Sequence, residues 1–554
     1  MAVDALTLES LGVGGHPLIR PFAHRLRLRE LLSDALGPMD RRLKLNPVDS
    51  LLLLVRNVAL SRHPLYGVPE WIRSFDPAQL DLEPELLQWV NDDRLGGALD
   101  RLFAADPRTL TTRIVVHMVK EFGLDLSRCH QDSTTVTFSG GYAEPPPRAD
   151  GRRRLRLVHG HNKDHRPDLK QLVWSLTVSA DGAVPVHYNL YDGNVTDDQL
   201  HIDTWEALRR VVGGPDFIYV ADGKLCTRDN MAHLDRDGGR FITVLPRTRQ
   251  EDARFLVDHP VDWQLIWERP PRRRQGDPPE RFEAVEAPEP SVEGYRLVWY
   301  RSSDQWQRDP RSWDHAIQSA RQEIQRLRER VGRRSLKTAE QVRAAAGRIL
   351  DDTETRDWVR VDIVPRQAGP GRPGRHTRHV RRTTTVYEPV AVLDEERLRA
   401  SAAADGIFPL VTNLASHDLP PLKLLQIYKY QPFVEKRHEQ LKTAAHVVPV
   451  SYKSAERIEA FLFLYFLATT IHALIERDVR AAMKKRRLRS IPLYPEEREC
   501  SAPTADKILG LLADLRRHRL LDRAAEVKTF WDPLSDVQCL VLELLDIPTS
   551  EYGQ

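Results

Sequence analysis

Between residues 124 and 246 the hydrophobic period of the chain changes, and that change limits the folds open to it. LDLSRCHQDSTTVTF (residues 124–138) is short, polar-alternating and β-branched, so it predicts a strand. QLVWSLTVSADGAVPVHYNLY (171–191) predicts a hairpin that turns at Asp181-Gly182. A helical segment follows over 197–212, then the apolar strand FIYVAD ending at Asp222, a helix over 227–237, and the strand RFITVLP. Strand, hairpin, helix, strand, helix, strand is the order of an α/β domain built on a mixed sheet.

The flanks read differently. Residues 17–110 carry apolar residues at helical spacing, as in FAHRLRLRELLSDAL and PVDSLLLLVRNVAL, so 1–120 forms a helical N-terminal domain. DNA binding and plain helical packing both remain open for it. The α/β pattern occupies 121–246. Residues 247–404 interrupt it with ERPPRRRQGDPPERF, the strand-like YRLVWYR, a long charged helical stretch and the loop QAGPGRPGRHTRHVRR, and they read as an insertion domain. GIFPLVTNL resumes an apolar strand, so 405–480 reads as the second part of the core. Helices are expected from about 420 to the end, with 481–554 a helical C-terminal region. A chain of 554 residues with 41% hydrophobic content suits several such domains, each with its own core. The run AFLFLYFLATTIHALI (460–475) is shorter than the ~20 residues of a typical membrane span and is flanked by Glu459 and Glu476, so it reads as a buried core helix, with no membrane partner. The opening MAVDALTLESLGVGG has neither the basic nor the apolar part of a signal peptide. Cys129, Cys226, Cys500 and Cys539 lie far apart, which argues against a zinc module and a disulfide framework.

Two acids stand out in the α/β segment. Asp132 lies in its first strand, and Asp222 lies at the C-terminal end of FIYVAD, where open α/β sheets gather functional groups. Taken alone, each is a weak signal and better suits a turn or a cap. A third acid, Glu435, lies in LLQIYKYQPFVEKRHEQLK. Tyr428, Glu435 and Lys442 are spaced by seven, so on a continuous helix they share nearly one face, with Pro432 in a first turn. A carboxylate between a Tyr and a Lys suits a site that grips a phosphate backbone. Ordinary charged amphipathic helices show the same spacing.

Together these residues resemble the bacterial insertion-sequence transposases of the DDE class, which have an RNase H-like catalytic core. The likeness is to the subgroup with a domain inserted before the final Glu and a signature of Tyr, two residues, Arg, three residues, Glu, six residues, Lys. Tyr428, Glu435 and Lys442 fall on that spacing, Gln431 stands at the Arg position, and Arg437 is a candidate substitute for its phosphate contact. The resemblance runs from the helical N-terminal domain to IPLYPEER (491–498). It implies a DNA transposase in which Asp132, Asp222 and Glu435 are catalytic and hold two Mg²⁺ or Mn²⁺ ions, as oxygen ligands favour. Hydrolysis at an element end would free a 3′-OH that then attacks target DNA. Tyr428, Gln431, Arg437 and Lys442 would touch DNA. The implied partners are double-stranded DNA, as transposon ends and target, and a second copy in a synaptic homodimer, in the bacterial cytoplasm at the nucleoid. A catalytically inactive, transposase-derived DNA-binding protein is the alternative.

Other constellations compete. HNKDHRPD places His161, Lys163 and Asp168 at the spacing of a phospholipase D-type phosphodiesterase, but there is no second copy; Lys163 and Arg166 better suit DNA or loop contacts. His159, His161 and His165 cluster without a fourth metal ligand in sequence. DGNVTDD (192–198) lacks the spacing of a calcium loop and predicts helix capping by Thr196 or Asp197. The net charge of +3 does not announce a polyanion partner, but the basic residues cluster at Arg152–Arg156, Arg272–Arg274 and Lys484–Arg489. GPGRPGR (369–375), with Arg372, resembles an arm that enters a DNA minor groove, or else is a solvated loop.

Overall fold

A computed structural model describes residues 6–40, 42–142, 154–160, 166, 168–258, 262–270, 278–332, 336–368, 384–403, 405–447, 454–522 and 525–554. Two compact units emerge: Met1–Thr243 with Gln426–Gln554, and Val244–Leu425.

The first unit opens with strand β1 (Leu6–Gly12). Helices α1 (His16–Arg25), α2 (Leu28–Leu36), α3 (Pro47–Leu60), α4 (Val68–Arg73), α5 (Asp92–Ala104) and α6 (Pro107–Phe122) follow. Start signals are explicit: Asn46 accepts a bond from Val48 N ahead of Pro47, and Asn91 accepts one from Arg94 N. The strand β1 was not legible in the sequence, for a reason given below.

The core strands are β2 (Arg128–Phe138), β3 (Lys170–Ser179) and β4 (Pro185–Asp192). After them come α7 (His201–Val212), β5 (Ile218–Val220), α8 (Arg228–Arg236) and β6 (Arg240–Val244). In the sheet they lie in the order β4-β3-β2-β5-β6. β2, β3 and β4 form an antiparallel meander, with Gly182 at φ +84° in the β3–β4 turn. β5 runs parallel to β2, and β6 parallel to β5, with α8 as the crossover between β5 and β6. Three antiparallel strands followed by parallel strands on the far side of the first is the RNase H-like arrangement, as expected. Trp174, Trp205, Tyr219 and Phe241 are fully buried against the sheet.

The second unit contains α9 (Gln250–Asp258), β7 (Gln264–Arg269), β8 (Glu280–Glu286) and β9 (Arg296–Ser302). It continues with α10 (Ser303–Arg330), α11 (Ala339–Asp352), β10 (Val359–Ala368), β11 (Thr384–Leu393), α12 (Glu395–Ala403) and β12 (Ile407–Thr412). Strands β12, β9, β8 and β7 pair antiparallel in that order. The β10–β11 ribbon lays Val359 on Ile317, Ala320 and Ile324 of α10 and Leu350 of α11, a small core of its own. Residues 405–425, which the sequence reading gives to the resumed core, pack in this unit. Helix α13 (Pro421–Tyr428) carries the chain back to the first unit.

There α14 (Pro432–Val447) and α15 (Ala455–Lys485) follow. α15 is long and apolar enough to cross a membrane by composition, yet residues 460–475 are buried against neighbours that include α3 and α5. The remainder is not helical throughout, contrary to the sequence reading. It holds β13 (Ile491–Tyr494), β14 (Arg498–Cys500), α16 (Ala505–Leu512), β15 (Arg516–Asp522), β16 (Ala525–Trp531) and α17 (Asp536–Leu544). β15 is the central strand of a three-stranded sheet, between β1 and β16, with Leu6 opposite Asp522 and Gly12 opposite Arg516. Charged residues dominate the β15–β16 hairpin, which masks its alternation.

Buried histidines make this fold acid-sensitive. His201 is fully buried, and burial pushes its imidazole down to about 4; His16, also buried, is held well below the usual histidine range by burial and by Arg56. The unfolded chain takes up these protons near pH 6.5 and the native state does not, so stability is full above that value and falls as pH drops towards 4. The expected loss at pH 5 is on the order of 2 kcal/mol for His201. Urea unfolding at pH 7.5 and pH 5 measures it, and His201→Gln should flatten the pH dependence.

Candidate functional site

The parallel register pairs Cys129 with Tyr219 and His130 with Val220. Asp132 follows the last paired residue of β2 by two positions, and Asp222 follows the last paired residue of β5 by two, so both acids lie towards the same end of this parallel pair. Asp132 Oδ1 accepts a bond from Ser133 N at 2.8 Å. Asp222 stands just past the end of β5. Its Oδ1 accepts from Lys224 N at 3.0 Å, and its backbone carbonyl accepts from the Thr243 hydroxyl at 2.6 Å. Both acids are half-buried, so their carboxylates are fixed without being sealed off.

Glu435 comes from a different direction. The helix expected to carry Tyr428, Glu435 and Lys442 on one face is broken: α13 ends at Tyr428, a turn follows, and α14 starts at Pro432. Pro432 has no N–H to continue a helix and disfavours helical backbone at Gln431, whose own N–H bonds the Tyr428 carbonyl at 2.9 Å. Glu435 therefore lies in the first turn of α14, where a carboxylate is favoured by the helix dipole. α14 packs on β2. The Glu435 side chain remains open to solvent, yet partial desolvation, then the charges of Asp132 and Glu439, hold its carboxyl above the usual range. The Tyr428 hydroxyl is pushed up by burial first, and then by Asp222, Glu435 and Asp132. One tyrosine thus feels all three acids.

The other expected residues divide. Gln431 is buried, with both ends of its amide bonded to the protein. Arg437 is buried as well: it pairs with Glu476 at 2.9 Å and donates to the carbonyls of Ala183 and Gly182. Both side chains expected to reach phosphate are thus engaged inside the protein. Lys442 lies in α14 with its side chain outside the described residues, and Lys163 and Arg372 lie outside them altogether. Two residues were missed. His438, buried, stands with Nε2 3.6 Å from Asp132 Oδ2, and Glu439 acts on Glu435. They follow Glu435 by three and four positions, the spacing that shares a helix face, and that was the available signal.

The rival constellations lose ground. Asp168 is held by Arg166 through bonds of 2.9 and 2.8 Å, while His161, Lys163 and His165 lie outside the described residues. Within the first basic run, Arg154 pairs with Glu456 and Arg156 with the fully buried Asp192. Arg272–Arg274 and 369–375 lie outside the described residues, and Arg486 pairs with Glu543. Thr196 makes no capping bond through its side chain. Among the described residues, Glu206, His233 and Asp237 have ligand atoms close enough for a metal, but Arg209 lies 3.9–4.0 Å from both carboxylates and already balances them.

What remains is Asp132, Asp222 and Glu435, each acting on Tyr428, with Glu435 raised by partial desolvation and then by the charges of Asp132 and Glu439. Hard oxygen donors in that state fit Mg²⁺ or Mn²⁺, which would neutralise the repulsion.

A family model described as a transposase DDE domain matches residues 131–471, a stretch that takes in Asp132, Asp222 and Glu435. A domain of unknown function (DUF4277) matches residues 7–116. No curated protein matches the chain. Among solved structures, the chain is similar to a piggyBac transposase synaptic complex with hairpin DNA, at 9% identity over 89% of this chain and 79% of that one, with a TM-score of 0.38. A Mos1 transposase paired-end complex with the left transposon end matches at 13% identity over 36% of this chain and 59% of that one, TM-score 0.14. A Mos1 mariner paired-end complex with Mn matches at 12% identity over 37% and 60%, TM-score 0.14.

Proposed function

The chain belongs to the transposase DDE domain family, and from that premise we propose that it cuts the ends of an insertion sequence by metal-dependent hydrolysis and joins the freed 3′-OH to target DNA. The observation that carries this reading is that α14, whose first turn holds Glu435, packs on β2 with His438 Nε2 3.6 Å from Asp132 Oδ2, inside the stretch matched by the transposase DDE model. Asp132, Asp222 and Glu435 would hold the metal ions. When bound, two Mg²⁺ or Mn²⁺ ions supply Lewis-acid activation of the attacking oxygen and stabilisation of the leaving one.

The protein's own part is positional. β2 and β5 present two carboxylates from rigid backbone, and α14 brings the third from the side. Water attacks the phosphodiester at the element end, the P–O3′ bond breaks and a 3′-OH leaves. That hydroxyl then attacks a target phosphodiester, and one bond is exchanged for another with no covalent protein intermediate. Lys442, Lys163, Arg372 and Tyr428 contact the DNA, whereas Gln431 and Arg437 do not. Two copies pair the two ends of the element in a synaptic homodimer in the bacterial cytoplasm. The helical region 1–120 adds DNA contacts.

Metal removal tests the reading. DNA segments from both sides of the coding sequence serve as substrate. EDTA should abolish nicking, and Mg²⁺ or Mn²⁺ should restore it. EDTA-resistant cleavage that dies with His161→Ala would point instead to a phosphodiesterase. Binding to the ends without nicking in any metal would mark a transposase-derived DNA-binding protein.

A further inference from the structure

Where the family signature has an arginine, this chain places a glutamine in a specific setting. Gln431 is the last residue of the turn before α14, and it is 7% exposed. Its Nε2 donates to the Gln131 carbonyl at 2.6 Å. Its Oε1 lies 3.1 Å from His130 Nδ1, which donates the bond, since an amide oxygen only accepts. His130 is fully buried on β2, and the Tyr430 ring lies 5.1 Å from its own.

The placement of the two bonds matters more than their number. His130 and Gln131 are the two residues immediately before Asp132. Gln431 and Pro432 are the entry to the helix turn that carries Glu435. One side chain thus ties the backbone leading into the first acid to the backbone leading into the third, inside the protein, where a bond is shielded from water. An arginine could donate to the Gln131 carbonyl, but it has no acceptor for His130.

We propose that Gln431 and His130 form a positioning latch that sets Glu435 against Asp132 and so fixes the spacing of the metal-binding carboxylates. Gln431 is a positioning residue, acting through α14, and it does not touch DNA or metal. The inference rests on the metal-site reading above and assigns to Gln431 a role different from the one the signature suggests.

The test uses the full-length protein and two readouts, Mn²⁺ binding by electron paramagnetic resonance and single-turnover nicking. Gln431→Met keeps the volume and removes both bonds. It should raise the Mn²⁺ half-saturation at least tenfold. It should slow nicking at least tenfold at limiting metal, with rates returning towards wild type at saturating Mn²⁺. Gln431→Met with His130→Leu also removes the His130 donor, so that only the Gln131 carbonyl loses its side-chain partner, and the thermal midpoint should recover part of the loss. Metal affinity should stay weak in that double variant. If instead metal affinity recovers with the midpoint, Gln431 serves only the fold and the latch is overturned. Wild-type Mn²⁺ binding and nicking in Gln431→Met would also overturn it. Should the wild-type protein bind no Mn²⁺ that Asp132→Asn removes, the metal-site reading itself fails, and the latch with it.

Discussion

Asp222→Asn is expected to lower end cleavage by about a thousandfold while leaving DNA binding intact. Losing one charged ligand from a metal-assisted phosphoryl site costs about 4 kcal/mol of transition-state stabilisation, and each ~1.4 kcal/mol is a factor of ten. The fold should not notice. The asparagine oxygen can still accept from Lys224 N, and the backbone bonds to Thr243 and Leu225 do not involve the side chain. Affinity for DNA should hold or rise, because a negative charge is removed from a surface that must meet phosphates. Gel-shift binding beside single-turnover nicking separates the two. Near wild-type nicking by Asp222→Asn would remove this residue from the active site, and the same test applies to Asp132→Asn and Glu435→Gln.

The second large effect is on stability. Arg437 and Glu476 are each about 5% exposed or less, and Glu476 also accepts from Ala505 N at 3.0 Å and meets Arg480 at 3.4 Å. Arg437→Ala leaves Glu476 buried without its closest cation and strands the Ala183 carbonyl. Breaking a buried pair from one side costs about 3–5 kcal/mol. Urea unfolding should report that loss, and Arg437→Lys should recover only part of it, because a point charge cannot reproduce the guanidinium fork. A DNA-contacting arginine would behave in the opposite way, with unchanged stability and weaker, less salt-dependent binding.

Much of the α/β part of the fold was legible because its signals are local. The Asp181-Gly182 turn, the apolar FIYVAD run and the buried 460–475 helix each declare themselves within about twenty residues, and the structure has them. β1 could not be read that way. Its partner β15 lies some five hundred residues along the chain, and Leu6 and Leu8 are exposed, so no buried face imposes a period. At the site, family spacing singled out Tyr428, Glu435 and Lys442 as candidates but could not distinguish an inward side chain from an outward one. Gln431 and Arg437 looked like DNA contacts because burial is a property of what packs on α14. That depends on α15 and the β3–β4 turn, which are remote in sequence. The helix break after Tyr428 was announced by Pro432, and the seven-residue spacing concealed it.

The β1–β15 pairing also dictates when the protein can be finished. On a ribosome working at ~5–20 residues per second, β1 waits about 25–100 s before its partner strand exists. Asp132 and Asp222 are made well before Glu435, so the nascent polypeptide carries two of its acids long before the third. A message cut short after α15 yields a product whose first strand has an open edge and nothing to cover it, the kind of edge that invites aggregation and quality control. Translation through β15 pairs one side of β1 and leaves it the edge strand of the sheet, so the length of chain still to be made sets when that side is closed.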